Sequence, residues 1–411
     1  MIQFMGNKVS IGLDEALALT AKSIETLTTE WVELQDGAER IVASDICARV
    51  DSPSIDASLK DGFGVVSGDV HQATPQSPVM LQLAGSVAAG DARSVSIESG
   101  SAIRVLTGAK IPQGCDAVVA EEFTRVSNGR VEVRIDAAPG RNILPRGCDV
   151  QKGGVVVEKG SRIGPGTLGL LAAAGHNRIE VVRRPEIALL ATGDEIVAPG
   201  RPLPEGKLYA SNIITLSAWC KRYGFKPHLQ IVPDDPARIE EALLHGFSSC
   251  DAVLTSGGAW TGDRDLVAKI LDRLGWQKLF HRIRIGPGKA VGCGLVDKKP
   301  VFILPGGPPS NLMGFLQIAL PGLLQRAGSS ETGLPEMPVK VERELDGRHL
   351  DWTQFIFGTL TPVPDSDHPL FRPMSRGSRL RSMAEARAIV KIPEGQTLLP
   401  AGSVVSAQIL G

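Results

Sequence analysis

The sequence is poor in the features that mark several large protein classes. Its six cysteines (Cys47, Cys115, Cys148, Cys220, Cys250 and Cys293) form no CxxC pair and no regular spacing. That argues against a disulfide framework or a zinc ribbon and fits free thiols in a reducing compartment. The seven histidines include no HxH or HExxH pair, so a zinc hydrolase has no support. Aromatic residues make up only 4% of the chain, too few for the stacking platforms of single-strand nucleic-acid binders. No run approaches the roughly 18 apolar residues of a membrane span. The first residues offer a lone Lys8 and no long apolar stretch, so no signal peptide is expected. Charge of either sign is also lacking in excess: 44 basic residues face 45 acidic ones, so any anion site must be built locally. The expectation is a cytoplasmic protein with neither a nucleic-acid nor a membrane partner.

Glycine and proline, in contrast, are plentiful, with 46 and 28 residues in a chain of 411. That favours several domains with many short strands and turns. Leu13, Leu17, Ile24 and Leu27 repeat at helical spacing behind Ser10, read as a cap. The segment from Asp51 to about Ala138 has no helical period and reads as a β-domain inserted into an elongated N-terminal one. From Pro185 strands and helices alternate, the pattern of a doubly wound parallel sheet. Strands are expected at Ile187–Ala191, His228–Val232, Ala252–Leu254 and Val301–Leu304, with a hairpin between Phe280 and Val296. Helices are expected at Ser211–Tyr223 (capped by Ser211 or Asn212), Arg238–Leu244, from about Asp263, and from Asn311. The tail returns to β character, with turns at Asp346-Gly347 and Pro393-Glu394-Gly395. The expected fold is therefore multidomain α/β plus β. Its parts are a discontinuous N-terminal domain (1–50 and 139–184), an inserted β-domain (51–138), a three-layer α/β domain (185–328) and a C-terminal β-domain (329–411).

Two strands of the α/β part run into glycine turns followed by helices: Ser256-Gly257-Gly258, and Pro305-Gly306-Gly307-Pro308-Pro309-Ser310. Such turns leave backbone N–H groups facing outward, a seat for an anion at the carboxyl ends of the strands. Glu195, Asp234 and Asp265 each follow a different expected strand. Carboxylates gathered in one place repel one another unless a cation holds them, and Mg²⁺ with substrate phosphates is the usual occupant of an all-oxygen site. The competing reading is that these acids cap helices, and Asp235 can replace Asp234 in either role. Lys289, in Ile285-Gly286-Pro287-Gly288-Lys289, can reach a phosphate as a point charge or be simply solvated.

The motifs DGFGV at Asp61, VLTGAKIPQGCDAVV from Val105, GRNILPRGCDV from Gly140 and ATGDEI from Ala191 recur in order with others downstream. Those are PDDP from Pro233, TSGG from Thr255, GPGKAVGCG from Gly286, LPGGPPS from Leu304 and RSMAEARAIVKIPEG from Arg381. Over its whole length the chain resembles the molybdopterin molybdenumtransferases, the MoeA type whose eukaryotic counterpart is the E domain of gephyrin. The resemblance implies an elongated homodimer, a molybdopterin-binding α/β domain and a C-terminal β-barrel. It implies Mg²⁺-dependent insertion of molybdate into the dithiolene of adenylylated molybdopterin with release of AMP, and a contact with molybdopterin adenylyltransferase.

By motif position, Asp61, Thr107 and Asp149 would come from one subunit, and Glu195, Asp234, Asp265 and Lys289 from the other. Glu195, Asp234 and Asp265 would hold the metal. Thr192, Ser256, Gly257, Gly258, Pro305, Gly306, Gly307 and Ser310 would hold phosphate. The family's pattern is broken at several of these places: Gly286 replaces a lysine, Ala210 an aspartate, Gly307 an asparagine and Cys148 a glutamate, and Trp260 enters the TSGG turn. Lys60 and Arg264 add cations beside Asp61 and Asp265, which reads either as positive charge relocated within the site for an anion bound in a changed pose or as solvated surface charge on a paralogue that no longer needs the reaction. The alternative is a non-catalytic molybdopterin-binding or scaffold paralogue; an anhydride hydrolase acting on a related pterin or nucleotide conjugate is a further one.

Overall fold

The computed structural model describes residues 11–91, 94–257, 266–364, 366–374 and 379–411. Four β-rich or α/β assemblies follow one another. Thr29–Glu33, Arg178–Val182 and Ile41–Val42 form a three-stranded antiparallel sheet that brings distant stretches of chain together. Leu171 and Ile163 are buried against it, packed with Val181 of its middle strand. Between these stretches lies a six-stranded sheet in the order Ala117–Ala120, Gly62–Val65, Ser101–Val105, Val79–Val87, Arg130–Val133 and Thr124–Ser127.

The third assembly is a six-stranded sheet ordered Lys226–Val232, Glu186–Thr192, Ala252–Ser256, Lys299–Leu304, Gly292–Val296 and Gln277–His281. Its first four strands are parallel, and Gly292–Val296 runs antiparallel to both neighbours. Strand alternation explains the three layers. Ile187, Leu189, Ala252, Leu254, Phe302 and Leu304 point to one face, where they meet Leu216 and Cys220 of helix Ser211–Arg222. Ala188, Leu190, Val253, Val301 and Ile303 point to the other, against Ile239 and Leu243 of helix Pro236–Ser249 and Val267 and Leu271 of helix Leu266–Arg273. Helix Leu13–Ser23 joins the first face through Leu13 and Ala16.

The last assembly is a closed barrel of Thr353–Thr361, Leu370–Pro373, Glu336–Val341, Val404–Ile409 and Ala388–Ile392, with Thr353–Thr361 pairing both its neighbours. It is joined to the α/β part by backbone as well as side chains. Ile285–Gly286 pairs in parallel with Thr353–Gln354. Gln317 and Gln408 exchange amide hydrogen bonds at 2.6 and 3.3 Å, and Arg284 donates to Glu394 at 3.1 Å.

Several local expectations need correction. Gly12 occupies the cap position of the first helix, with no side-chain cap. Neither Ser211 nor Asn212 caps its helix, whose cap position is Ala210. Pro236–Ser249 is longer than expected, because Asp235 caps it by accepting from Arg238 N at 2.9 Å. The helix after the second glycine turn starts at Pro308, three residues before Asn311, since proline suits a first helical position. Asp346 lies in a short strand paired with Leu398. The sheet is mixed rather than wholly parallel, because the hairpin returns along its edge. Helix Pro165–Ala173 was hidden by Gly164, Gly166 and Gly169.

Arg183 ties the linker to the α/β sheet. Its guanidinium donates to both carboxyl oxygens of buried Asp251, which also accepts from Glu186 N at 2.9 Å. Burial pushes the Asp251 carboxyl up, but the Arg183 and Glu186 hydrogen bonds outweigh it and hold it below its ordinary value. A lowered carboxyl pKa gives stability that is present above the unfolded value and lost as pH falls through the folded one. Asp251→Ala should therefore cost about 1–3 kcal/mol at neutral pH. Denaturant titration should find the deficit shrinking below pH 4.

Candidate active site

The chain leaves strand Glu186–Thr192 toward one side of the sheet for the next strand and toward the other for Ala252–Ser256. The carboxyl ends of those two strands therefore flank the topological switch point, where an open α/β sheet leaves a crevice. Lys299–Leu304 ends alongside. Three turns emerge there; positive φ favours glycine at Gly193 and Gly257, and at Gly257 close approach to backbone requires it as well. Gly193 has φ +145°, and a Cβ on it would lie 2.6 Å from the Glu195 carboxylate. Gly257 has φ +105°, and a Cβ there would lie 2.5 Å from Thr192 O. A Cβ on Gly306 would lie 3.9 Å from Gly257 Cα, so the two expected glycine turns abut.

Two asparagines join them. Asn212 Nδ2 donates to Gly306 O at 2.8 Å and Ser256 Oγ at 3.2 Å. Asn311 Nδ2 donates to Pro305 O at 2.9 Å and Ser256 Oγ at 3.0 Å. Neither role is visible in the sequence, where Asn212 reads as a candidate helix cap beside Ser211 and Asn311 as a helix start. The second turn offers fewer donors than its glycines promised, because Pro308 and Pro309 have no N–H. Its backbone donors are those of Gly306, Gly307 and Ser310. Lys289 is exposed on a turn that leans on the same helix: a Cβ on Gly288 would lie 3.4 Å from Ser310 O.

Glu195 and Asp194 both lie near enough to Asp234 for their charges to act on it. Asp194 accepts from Asp234 N at 3.1 Å, while Lys207 Nζ donates to Asp194 O at 2.6 Å. Partial burial, and then the charges of Asp194 and Glu195, push the Asp234 carboxyl above its ordinary value. Because Asp235 serves as a cap, Asp234 is the one of the pair that faces the other acids. The signal for Asp194 was its place next to Glu195 in TGDE. Gly258, Trp260, Arg264 and Asp265 lie outside the described residues.

Asp61 and Thr107 also meet, but on the inserted sheet. Asp61 Oδ1 accepts from Thr107 N at 2.6 Å and Oγ1 at 2.7 Å, which lowers the Asp61 pKa, chiefly through the backbone bond. Asp149 lies within 3.4 Å of Ser52 Oγ and 4.0 Å of the Cys148 thiol. Lys60 is exposed, and its carbonyl accepts from Ser58 Oγ. Among the described residues, no hydrogen bond or ion pair within the chain joins this group to Glu195, Asp234 or Ser256.

A cavity of about 670 Å³ opens where Gly286, Pro287 and Pro309 face the barrel. Trp352 stands 3.8 Å from where a Gly286 Cβ would be, and Arg343, Arg348 and Arg379 line the same space. Nothing in the sequence tied these arginines to the glycine turn, since only the barrel's docking brings them there.

The donor set can be tested against Mg²⁺. Among the described residues no three or more His, Cys, Asp or Glu side chains form a ready cage. Mg²⁺ does not need one, because it keeps waters and is held by one or two carboxylates plus substrate phosphates. Asp194, Glu195 and Asp234 are oxygen donors whose repulsion a cation relieves, so they fit.

Fold and site define a multidomain α/β-plus-barrel protein with two abutting glycine turns and neighbouring carboxylates at the switch point of its α/β sheet. Comparison with known proteins agrees. A family model described as the MoeA N-terminal region (domain I and II) matches residues 11–175, and one described as a probable molybdopterin binding domain matches residues 188–325. The molybdopterin molybdenumtransferase of Haemophilus influenzae is 34% identical over 326 residues, 79% of this chain and 79% of that protein. That of a Nostoc species is 31% identical over 92% of this chain and 88% of its own. The structure of a molybdopterin biosynthesis MoeA protein from Pyrococcus horikoshii matches with a TM-score of 0.81 at 28% identity, covering 97% of this chain and 99% of that one. The chain belongs to the molybdopterin molybdenumtransferase family, and so to the transferases of molybdenum cofactor biosynthesis.

Asp234 gives a direct test. A raised carboxyl pKa means stability is lost as pH rises from the unfolded value through the folded one. At pH 7 without divalent cations, Asp234→Asn should therefore be slightly more stable, by a few tenths of a kcal/mol given the site's exposure. Mg²⁺ should raise the melting temperature of the parent protein more than that of the variant. Calorimetry with and without Mg²⁺ reads both effects.

Proposed function

We propose that the protein inserts molybdate into the dithiolene of adenylylated molybdopterin, with Mg²⁺, and releases AMP. The observation that carries this reading is the meeting of Asp194, Glu195 and Asp234 beside two abutting glycine turns at the switch point, in a chain of this family. The substrate combines a pyrophosphate, a phosphate ester and a dithiolate beside an oxyanion. Ser256, Gly306, Gly307 and Ser310 offer donors to its phosphate oxygens, Thr192 a hydroxyl, and Lys289 a point charge, while the Gly257 N–H is spent on Leu304 O at 3.1 Å and holds the turn in shape. When bound, Mg²⁺ neutralises phosphate charge that the acids alone would repel. The chain's own residues hold the anhydride in place and stabilise developing negative charge without a protein nucleophile.

The site is completed in a homodimer, with Asp61, Thr107 and Asp149 of one chain set against the α/β crevice of the other; the separation of the two groups within one chain supports this. Positive charge missing at Gly286 is supplied by relocated cations: Lys60 and Arg264, as the sequence proposed, and the barrel arginines across the cavity. Asp265 completes the acidic set. The domain limits at 50/51, 138/139, 184/185 and 328/329, a cytoplasmic location and docking to molybdopterin adenylyltransferase belong to the same proposal.

Purified protein with Mg²⁺ and adenylylated molybdopterin should release AMP, and molybdate should be required. Tight binding without release would establish the scaffold reading instead, and release without molybdate the anhydride hydrolase. Gly286→Lys has room, since the nearest atoms to its Cβ are at 3.8 and 3.9 Å. It should leave the melting temperature within about 2 °C and raise turnover or affinity about tenfold, the effect of one added charge contact.

A further inference from the structure

Ser256 and its two asparagines form a hydrogen-bond set in which every proton can be assigned. Each amide nitrogen has two hydrogens and two acceptors: Asn212 has Gly306 O and Ser256 Oγ, and Asn311 has Pro305 O and Ser256 Oγ. Exchanging nitrogen and oxygen in either amide would set two carbonyl oxygens within 3 Å of each other. The backbone carbonyls, which only accept, therefore fix both amides as donors. Ser256 Oγ accepts twice, and a hydroxyl has two lone pairs. Its single hydrogen is left over and has no acceptor among the described residues. The residue is only 6% exposed, so solvent serves it poorly.

A second, independent orphan lies next to it. Thr192 is 5% exposed, and its Oγ1 has no partner among the described residues. It sits 3.0 Å from where a Gly257 Cβ would be. Two buried hydroxyls from neighbouring strands thus retain hydrogens at one turn.

We infer that Ser256 is a donor-only hydroxyl held ready for an anionic oxygen of the ligand, and that Asn212 and Asn311 are positioning residues that enforce its polarity while clamping the two turns. This rests on the function proposed above and specifies the ligand oxygen at this point as a pure acceptor, a phosphate or pyrophosphate oxygen rather than a hydroxyl or an amine. It also separates the crevice into a donor side around Ser256 and an acceptor side at Asp194, Glu195 and Asp234, which keeps a cation away from the serine.

The test is a double-mutant cycle on the full chain, reading equilibrium affinity for adenylylated molybdopterin by titration. Ser256→Ala should weaken binding roughly ten- to hundredfold, as expected for a lost hydrogen bond to a charged group. Asn212→Asp replaces a donor by an acceptor that captures the Ser256 hydrogen, so it should also weaken binding. Its penalty should shrink markedly in the Ser256→Ala background, where no hydroxyl is left to redirect. An equal Asn212→Asp penalty in both backgrounds would mean charge or structure alone and would overturn the positioning role, as would Ser256→Ala binding like the parent. If the parent protein binds nothing, the function proposed above fails and this inference with it. If Asn212→Asp does not fold, Asn311→Asp, which sets the same acceptor against Ser256 Oγ, takes its place with the same required loss of penalty.

Discussion

Everything in the crevice depends on how closely two backbone turns approach. Gly257 sits where any side chain would strike Thr192 O, and Gly306 packs within van der Waals reach of Gly257 Cα. That approach lets Asn212 and Asn311, from helices on one face of the sheet, each reach a turn carbonyl and the same serine. A larger residue at Gly257 would strike Thr192 O and displace the turn that carries Ser256, straining the hydrogen bonds both asparagines make to it. Ser256 and Asn311 of the polar clamp are buried and Asn212 is half-buried, so the inner bonds are worth most when every partner is satisfied. The hydrogen left unused points to what the clamp serves.

The carboxylate cluster works against stability, and its tolerance is informative. Asp234 is disfavoured as an anion by its surroundings and by Asp194 and Glu195. A protein that needed only a fold would gain by replacing one of these acids. Placing them at the mouth of an anion-seating crevice makes sense if a cation and a polyanion arrive together. The barrel adds a further constraint. Its strand Thr353–Thr361 extends over Ile285–Gly286, so the turn carrying Lys289 is fixed from both sides, by the helix at Ser310 and by the barrel.

Much of this was legible in the sequence because its signals were local. Runs such as Ala252–Leu254 ending at Ser256-Gly257 specify strand, turn and strand end together, and the alternation of Ile187 to Leu190 between two cores follows from strand geometry alone. The edge hairpin between Phe280 and Val296 was legible as a hairpin, and its strands pair antiparallel; that it would join the parallel sheet beside Lys299–Leu304 was not, since nothing local marks the edge it docks on. Asn212 was misread because an asparagine at a helix start usually caps it; here tertiary partners outcompete the cap. Asp194 was overshadowed by Glu195, and Arg343, Arg348 and Arg379 belong to the cavity only because the barrel docks where it does. Pro308 and Pro309 reduced the donors that the second glycine turn had promised.

The most direct measurement is a crystal structure of the protein with adenylylated molybdopterin and Mg²⁺. The account predicts phosphate oxygens between Ser256–Gly257 and Gly306–Ser310, with the metal against Asp194, Glu195 or Asp234 and the partner chain's inserted domain closing the site. Phosphates seated elsewhere, for example in the edge cavity beside His228 and His245, would contradict it.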